Sequence, residues 1–540
     1  MIFSQTSHAR PSRVPTDSLL LFRRARISTA VLAGVLLGAP ASAQESLEPG
    51  ASSISGPGLT LEECRRLALE HNLSLQAQRE ALAAAGYLRA AEMGVFEPEV
   101  VISAESESND RENTIEQTIS QGTSFFSEEN ANYAAGLEGL TPTGARYRIG
   151  WSGRDIANNL RVRATDPFRE QFQTFVGITV TQPLLKDFGL SATLARVRLA
   201  SADEQIARQE FRRQLMIVVG AVETAYWDLY VAQQRRHLRQ ESTVAAERLL
   251  EGNRARVREG KMAEIELVEA QAGLAQRRSL ASEAEHRHAE AVGRLKTLFA
   301  ETDEHGRQWI VNDALPEHGS LPDLDDLLTS AVSLHPEYLV RMRRAEQENI
   351  RVAYARNQRW PQVDLTASYG RNGLGGGLPG AWDDVIHRDY ESWSVGVEVR
   401  VPITLGMRKR NEVRASEAKR REALLNLKAA EVEIANSLHT AYRRVESLRL
   451  VAESYEEVAT AANRLLANER ARLDEGQSDS RRVLEVENQY SDAAIAAVET
   501  AGEYQKARLE LELATGRLLA TRGLDIVPES SAPRSWLTWR

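Results

Sequence analysis

The chain has 540 residues, 26% of them charged and only 6% aromatic, with a formal net charge of -9. That acidic balance excludes a general nucleic-acid binder, and the single cysteine, Cys64, excludes an internal disulfide and a cysteine-based metal site. Two long tracts rich in Ala, Leu, Glu and Arg have the composition of long helices. After the amino terminus no apolar run reaches the length of a membrane-spanning helix.

Residues 1–43 read as a cleavable signal peptide. Arg23, Arg24 and Arg26 precede an apolar run from Ile27 to Ala39, and Ala41-Ser42-Ala43 supplies the small-residue cleavage pattern. Residues 44–58, rich in Ser, Pro and Gly, form a flexible lead-in. Thr60 opens a helix with capping-box spacing to Glu63, and its apolar stripe runs to about Met93 before Pro98. Strands then occupy 99–183. Alternation of period two is clear at Val100, Ile102 and Ala104, at Tyr133, Ala135 and Leu137, at Tyr147, Ile149 and Trp151, and from Phe172 to Val180. Thr141-Pro142-Thr143-Gly144 is a turn, and 106–130 and 153–170 read as polar loops.

A helical hairpin follows at 190–299. Leu215, Val218, Val219, Val222, Tyr226 and Leu229 keep helical spacing, and Gly260 stands where a helix-ending glycine belongs. Residues 301–322, with Pro316 and Pro322, form a linker. The second unit, 323–520, repeats the plan: a helix, strands within 362–401, and a hairpin at 408–519 that turns at Gly476. Residues 521–540, with Pro528 and Pro533, read as a disordered tail.

The two units are copies. Pro98 precedes Pro361 by 263 positions, and Ala68 precedes Ala331 by the same offset. Pro183 precedes Pro402 by 219, and Gly260 precedes Gly476 by 216. The first unit, 59–300, therefore carries about 44 extra residues between its prolines, enough to enlarge a loop or add a hairpin. Each strand is long enough to cross a hydrocarbon layer when tilted, with one apolar face. In lipid a sheet must close on itself. Four clear strands, or six if both arms around Pro142 count, are too few for one copy to close a barrel. Several copies are expected to share the wall.

Motifs of catalysis are not indicated. Gly375 to Gly380 fits GxGxxG on paper, but it reads as a loop with Pro379 inside and no helix after it. No cofactor or metal is expected: His286 and His288 point to different sides of a helix, and the other histidines are scattered.

Taken in order, Leu59-Thr60-Leu61-Glu62-Glu63 through His71-Asn72, the junction Gln182-Pro183-Leu184, Ala225-Tyr226-Trp227-Asp228-Leu229, and Glu259-Gly260 followed by Glu266-Leu267-Val268-Glu269-Ala270-Gln271 resemble the outer-membrane efflux protein family, the TolC-like channels. The resemblance covers about 59–520. It implies a mainly α fold with a β-barrel part: duplicated long antiparallel hairpins forming a trimeric helical barrel, continued by a shared transmembrane β-barrel, twelve-stranded with four strands per copy. It implies a homotrimer in outer-membrane lipid, docked to a periplasmic adaptor (membrane fusion) protein and to an inner-membrane pump or ABC transporter. Two alternatives stay open, an outer-membrane component of type I protein secretion and a periplasmic coiled-coil scaffold without a pore. The resemblance places gate and adaptor contacts at the hairpin tips. There Gly260, Glu266, Arg472, Asp474, Gly476, Asp479, Arg481, Arg482 and Glu485 are the expected site residues, either as a charge latch or as ordinary exposed charges. Pro183 and Pro402 are the expected strand-to-helix junctions. Tyr147, Trp151, Phe175 and Trp393 are the expected membrane-interface aromatics.

Overall fold

The structure, a computed structural model, describes residues 59–159, 171–301, 309–311, 313, 319, 321–388, 390–401 and 406–524. The expected signal peptide and lead-in, most of the linker, Pro402 and the last sixteen residues of the tail lie outside these residues.

Two helices, α1 (Leu61–His71) and α2 (Leu73–Met93), open the chain where one was expected. Asn72 makes the break. It ends α1 in an extended conformation, and its side chain accepts from the Leu75 amide to cap α2. The break recurs 263 residues later, where His335 separates α7 (Leu324–Leu334) from α8 (Pro336–Gln358) and Pro336 takes the first helical position.

Six strands form one antiparallel sheet in sequence order: β1 (Glu99–Glu112), β2 (Phe125–Leu140), β3 (Arg146–Asn158), β4 (Gln171–Pro183), β5 (Gln362–Gly375) and β6 (Glu391–Arg400). The loop expected over 106–130 is mostly strand. β1 and β2 extend through it and are joined by the short helix α3 (Ile115–Gln121). Helix α9 (Leu378–His387) joins β5 to β6 where the glycine-rich segment read as a loop without a helix. It packs across β4 and β5 because Gly373 and Gly375 lack side chains: a Cβ on Gly373 would overlap the Ala381 carbonyl.

The short α4 (Leu190–Thr193) leads into α5 (Ala195–Arg258), which returns as α6 (Glu264–Leu298). α10 (Met407–Asp474) returns as α11 (Ser480–Ala514), followed by α12 (Leu518–Thr521). At 1.5 Å per residue, the 64 residues of α5 and 68 of α10 span about 100 Å each. α5 contains an 18-residue stretch apolar enough to cross a membrane, contrary to the reading from sequence, and 67% of it is buried inside the protein. Its Leu215, Val219 and Met216 pack with Leu75 and Leu82 of α2 and with Leu509, Leu518 and Leu519. A second core joins Val222, Tyr226 and Leu229 to Cys64 and Ala68 of α1 and Leu295 of α6. The start of the expected disordered tail is packed as well: Arg522 pairs with buried Glu223 at 2.9 Å and with Glu512 at 3.0 Å.

Candidate channel wall and helical tips

Directly paired residues in a sheet share a face, so the register sorts every strand residue. One face carries Val100 and Ile102 of β1, Tyr133 and Leu137 of β2, and Tyr147, Ile149 and Trp151 of β3. It continues through Val176, Ile178 and Val180 of β4 and Ala367 and Tyr369 of β5 to Trp393, Val395, Val397 and Val399 of β6. The apolar surface thus runs without interruption from edge to edge. Ile102 is 75% exposed and Trp393 74%, while α9 covers the far end of this face on β4 and β5, at Thr174 and Gly373. An apolar area of that extent on a folded protein marks a membrane or protein contact.

The opposite face is polar. Arg148 pairs with Glu138 at 3.3 Å, and Arg154 approaches Glu107 at 4.0 Å. Thr181 bonds Thr366 at 3.3 Å and Ser368 bonds Ser394 at 3.0 Å across neighbouring strands. On this face Gly136, Gly150, Gly177 and Gly370 stand side by side across β2 to β5. A Cβ on Gly150 would come within 2.5 Å of the Ala135 carbonyl oxygen, and one on Gly177 within 2.5 Å of that of Tyr369. Neighbouring backbones approach closely on this side, where only glycine fits.

Three of the four expected interface aromatics, Tyr147, Trp151 and Trp393, stand on the apolar face. Phe175 does not. It pairs with Ser152 and Asn372 on the polar face, and its ring covers the Gly177 and Gly370 positions. The glycine row makes room for it, a relation no single strand's alternation reveals.

β1 leaves the helical body and β4 returns to it at Pro183, so one end of the sheet is continuous with the helices. The Leu184 amide still donates to the Val363 carbonyl at 2.7 Å, carrying the pairing past the proline. The β2–β3 turn docks on that junction: the Gly189 amide donates to the Thr143 carbonyl at 3.1 Å. Gly144 (φ 94°) has no room for a side chain, because a Cβ would meet the Asp187 carbonyl oxygen at 2.5 Å.

At the far end of the hairpins the two tips are built alike. Gly260 (φ 71°) and Gly476 (φ 75°) occupy the left-handed region. The Lys261 amide donates to the Arg256 carbonyl and the Gln477 amide to the Arg472 carbonyl, both at 2.8 Å, the bonding of a Schellman stop. Asp479 caps α11 by accepting from the Arg482 amide at 2.6 Å. Of the expected tip charges, Arg482 pairs with Glu485 at 2.9 Å, three residues on, and Arg472 with Glu469 at 3.5 Å. Glu469 also accepts from Ser478. These described bonds are local and do not join the two tips. The Arg482–Glu485 pair is exposed and contributes about 0–1 kcal/mol, whereas Glu469 is buried. Arg481 is exposed, Glu266 half-buried, and the side chain of Asp474 lies outside the described part.

The tie between the hairpins is one that sequence did not disclose. Arg277 of α6 is 4% exposed. Its guanidinium donates to Ser242 Oγ of α5 at 3.1 Å, and to Asn488 Oδ1 at 2.9 Å and the Leu484 carbonyl at 3.2 Å on α11, beside buried Glu487. Burial holds the Arg277 pKa down against the Glu487 charge, and burial raises that of Glu487 against Arg277. Further rungs follow along α11: Asn253 with Ser480 at 3.0 Å, Arg239 with Asp492 at 3.0 Å, Arg235 with Glu499 at 2.7 Å and Asp228 with Lys506 at 2.9 Å.

Solved structures share this architecture. The outer-membrane channel OprN aligns with a TM-score of 0.61 at 16% identity, covering 84% of this chain and 89% of its own. The Campylobacter jejuni CmeC outer membrane channel aligns at 0.60 and 16% identity, covering 84% and 85%. At such identities the likeness shows the fold. In sequence, the outer membrane efflux protein BepC of Brucella suis biovar 1 (strain 1330) is 24% identical over 363 residues, 65% of this chain and 74% of BepC. The profile of the family described as Outer membrane efflux protein matches residues 145–301 and 340–517, more than half of the chain, and the chain belongs to that family.

Proposed function

We propose that this chain is one subunit of a trimeric outer-membrane conduit through which cargo passes passively from the periplasm to the exterior, within a tripartite efflux or export system. The observation that carries the reading is the sheet, with an exposed apolar band that runs from edge to edge, a polar opposite face and direct continuity with helical hairpins about 100 Å long. Lipid outside and water inside satisfy both faces. A pore-free periplasmic scaffold would leave the apolar face in water.

The helices support self-assembly. Along α10, exposed Leu425 and Val432, one heptad apart, and exposed Val451, Val458 and Leu465, each one heptad from the next, form an apolar surface that its own chain leaves uncovered. Adjacent copies would cover it and complete a tunnel. The tips around Gly260 and Gly476 stand at the end of that tunnel remote from the sheet, where a gate and the contacts with a periplasmic adaptor and an inner-membrane pump or ABC transporter belong. The test is direct. The protein should require detergent for extraction, scatter light as a trimer, and conduct ions in planar bilayers. A strictly monomeric, detergent-free species overturns the reading.

A further inference from the structure

We infer that each copy contributes six strands to the membrane wall, so that three copies close an eighteen-stranded barrel in which β6 of one copy pairs antiparallel with β1 of the next. The inference rests on the self-assembled channel reading and adds to it the width of the pore and the partner of each sheet edge.

The strand order β1 to β6 is open, with β1 and β6 at the two edges. Both edges carry the apolar face, through Val100 and Ile102 on one and Val395, Val397 and Val399 on the other. In hydrocarbon, a row of unpaired backbone amides and carbonyls at either edge is not sustained. The edges match each other in direction: β1 runs away from the helical body and β6 runs back towards it. Joining β6 to the next β1 is therefore antiparallel and leaves every helical body on the same side. Joining like edges about a two-fold axis would send the helices to opposite sides of the membrane.

The repeat identifies the added strands. The prolines that pair β1 with β5 and β4 with β6 have no counterparts for β2 and β3, which occupy the segment present only in the first unit. These two strands are in the wall and do not fold into the lumen. β2 pairs along the whole of β1, β3 pairs along β4, and Tyr133, Leu137, Ile149 and Trp151 continue the apolar face. They also carry two of the four glycines aligned across β2 to β5, Gly136 and Gly150. With strands about 4.8 Å apart and tilted about 40°, eighteen strands enclose a backbone cylinder about 36 Å across, against about 24 Å for twelve. Barrels of sixteen to eighteen strands leave an aqueous channel. The membrane section then passes bulky hydrated cargo, and selection by size falls to the helical end.

Ser103→Cys on β1 is combined in turn with Ser392→Cys, Ser394→Cys, Gly396→Cys and Glu398→Cys on β6, all on the polar face, and each pair is oxidised in the detergent-solubilised protein. Within one copy four strands separate the two positions, so every disulfide formed links copies. The expected result is covalent trimers in one register, with β1 and β6 amides exchanging as slowly as those of β3. A particle of three copies with no cross-link in any register, and edge amides exchanging like a free strand, overturns the eighteen-stranded wall and leaves the channel intact. A monomer by light scattering overturns the channel reading itself.

Discussion

Arg277 shows how a buried charge can hold two long helices to a third. Its four hydrogen bonds reach α5, α6 and α11, and Glu487 sits beside it at 3.9 Å. Removing one member of such a pair leaves the other buried and uncompensated, at a cost of about 3–5 kcal/mol. Arg277→Ala should lower the thermal unfolding temperature of the solubilised protein, and Arg277→Met combined with Glu487→Leu should recover most of the loss. Failure of the double variant to recover would place the loss in the hydrogen bonds to Ser242 and Asn488. His335, at the α7–α8 break, makes a second residue-scale prediction. Burial lowers its pKa below the ordinary 6.5, with Glu337 opposing, so the folded protein holds the neutral ring. The unfolded chain binds a proton first as pH falls below about 6.5, and stability is lost over that limb. His335→Leu should flatten the acid limb of a stability-versus-pH curve.

At the scale of elements, the tips are the parts whose role rests on position. Arg482 pairs with Glu485 and stands one turn after the Asp479 cap. If the tips gate the tunnel, Arg482→Glu sets a carboxylate against Glu485 and should change single-channel conductance in planar bilayers at least twofold. Unchanged conductance counts against gating there. The tip glycines were legible because a Glu-Gly helix end recurs at a fixed offset, and the long helices because apolar spacing persists without proline. The outer halves of β1 and β2 were not. From Glu105 to Glu112 both faces are polar, so period-two alternation vanishes although the backbone continues as strand. α9 was hidden by Gly and Pro at its start, and the α1–α2 break by a buried asparagine, Asn72, that keeps the helical spacing of the stripe between Ala68 and Leu75. Arg277 was unreadable for a different reason: its burial depends on a helix more than 200 positions away.

For the whole molecule, the uncovered apolar surface on α10 and the two open sheet edges both call, in the proposed channel, for a neighbour of the same kind. Charges placed on that surface attack the helical contact alone. Val432→Lys with Val458→Lys should shift the solubilised protein from trimer to monomer by light scattering while leaving its helical circular dichroism intact, because both residues are more than half exposed in the single copy. Persistence of the trimer would assign assembly to the sheet edges.

The tight reversal at Thr141 to Ala145 has an arithmetic consequence. The chain enters and leaves the sheet on the side of the helices, so a strand can be gained or lost only together with its return. In the proposed threefold ring the bore would therefore be quantised, changing by six staves at a time. Widening that ring would take a complete hairpin, whose turn could dock as Thr143 does on the Gly189 amide.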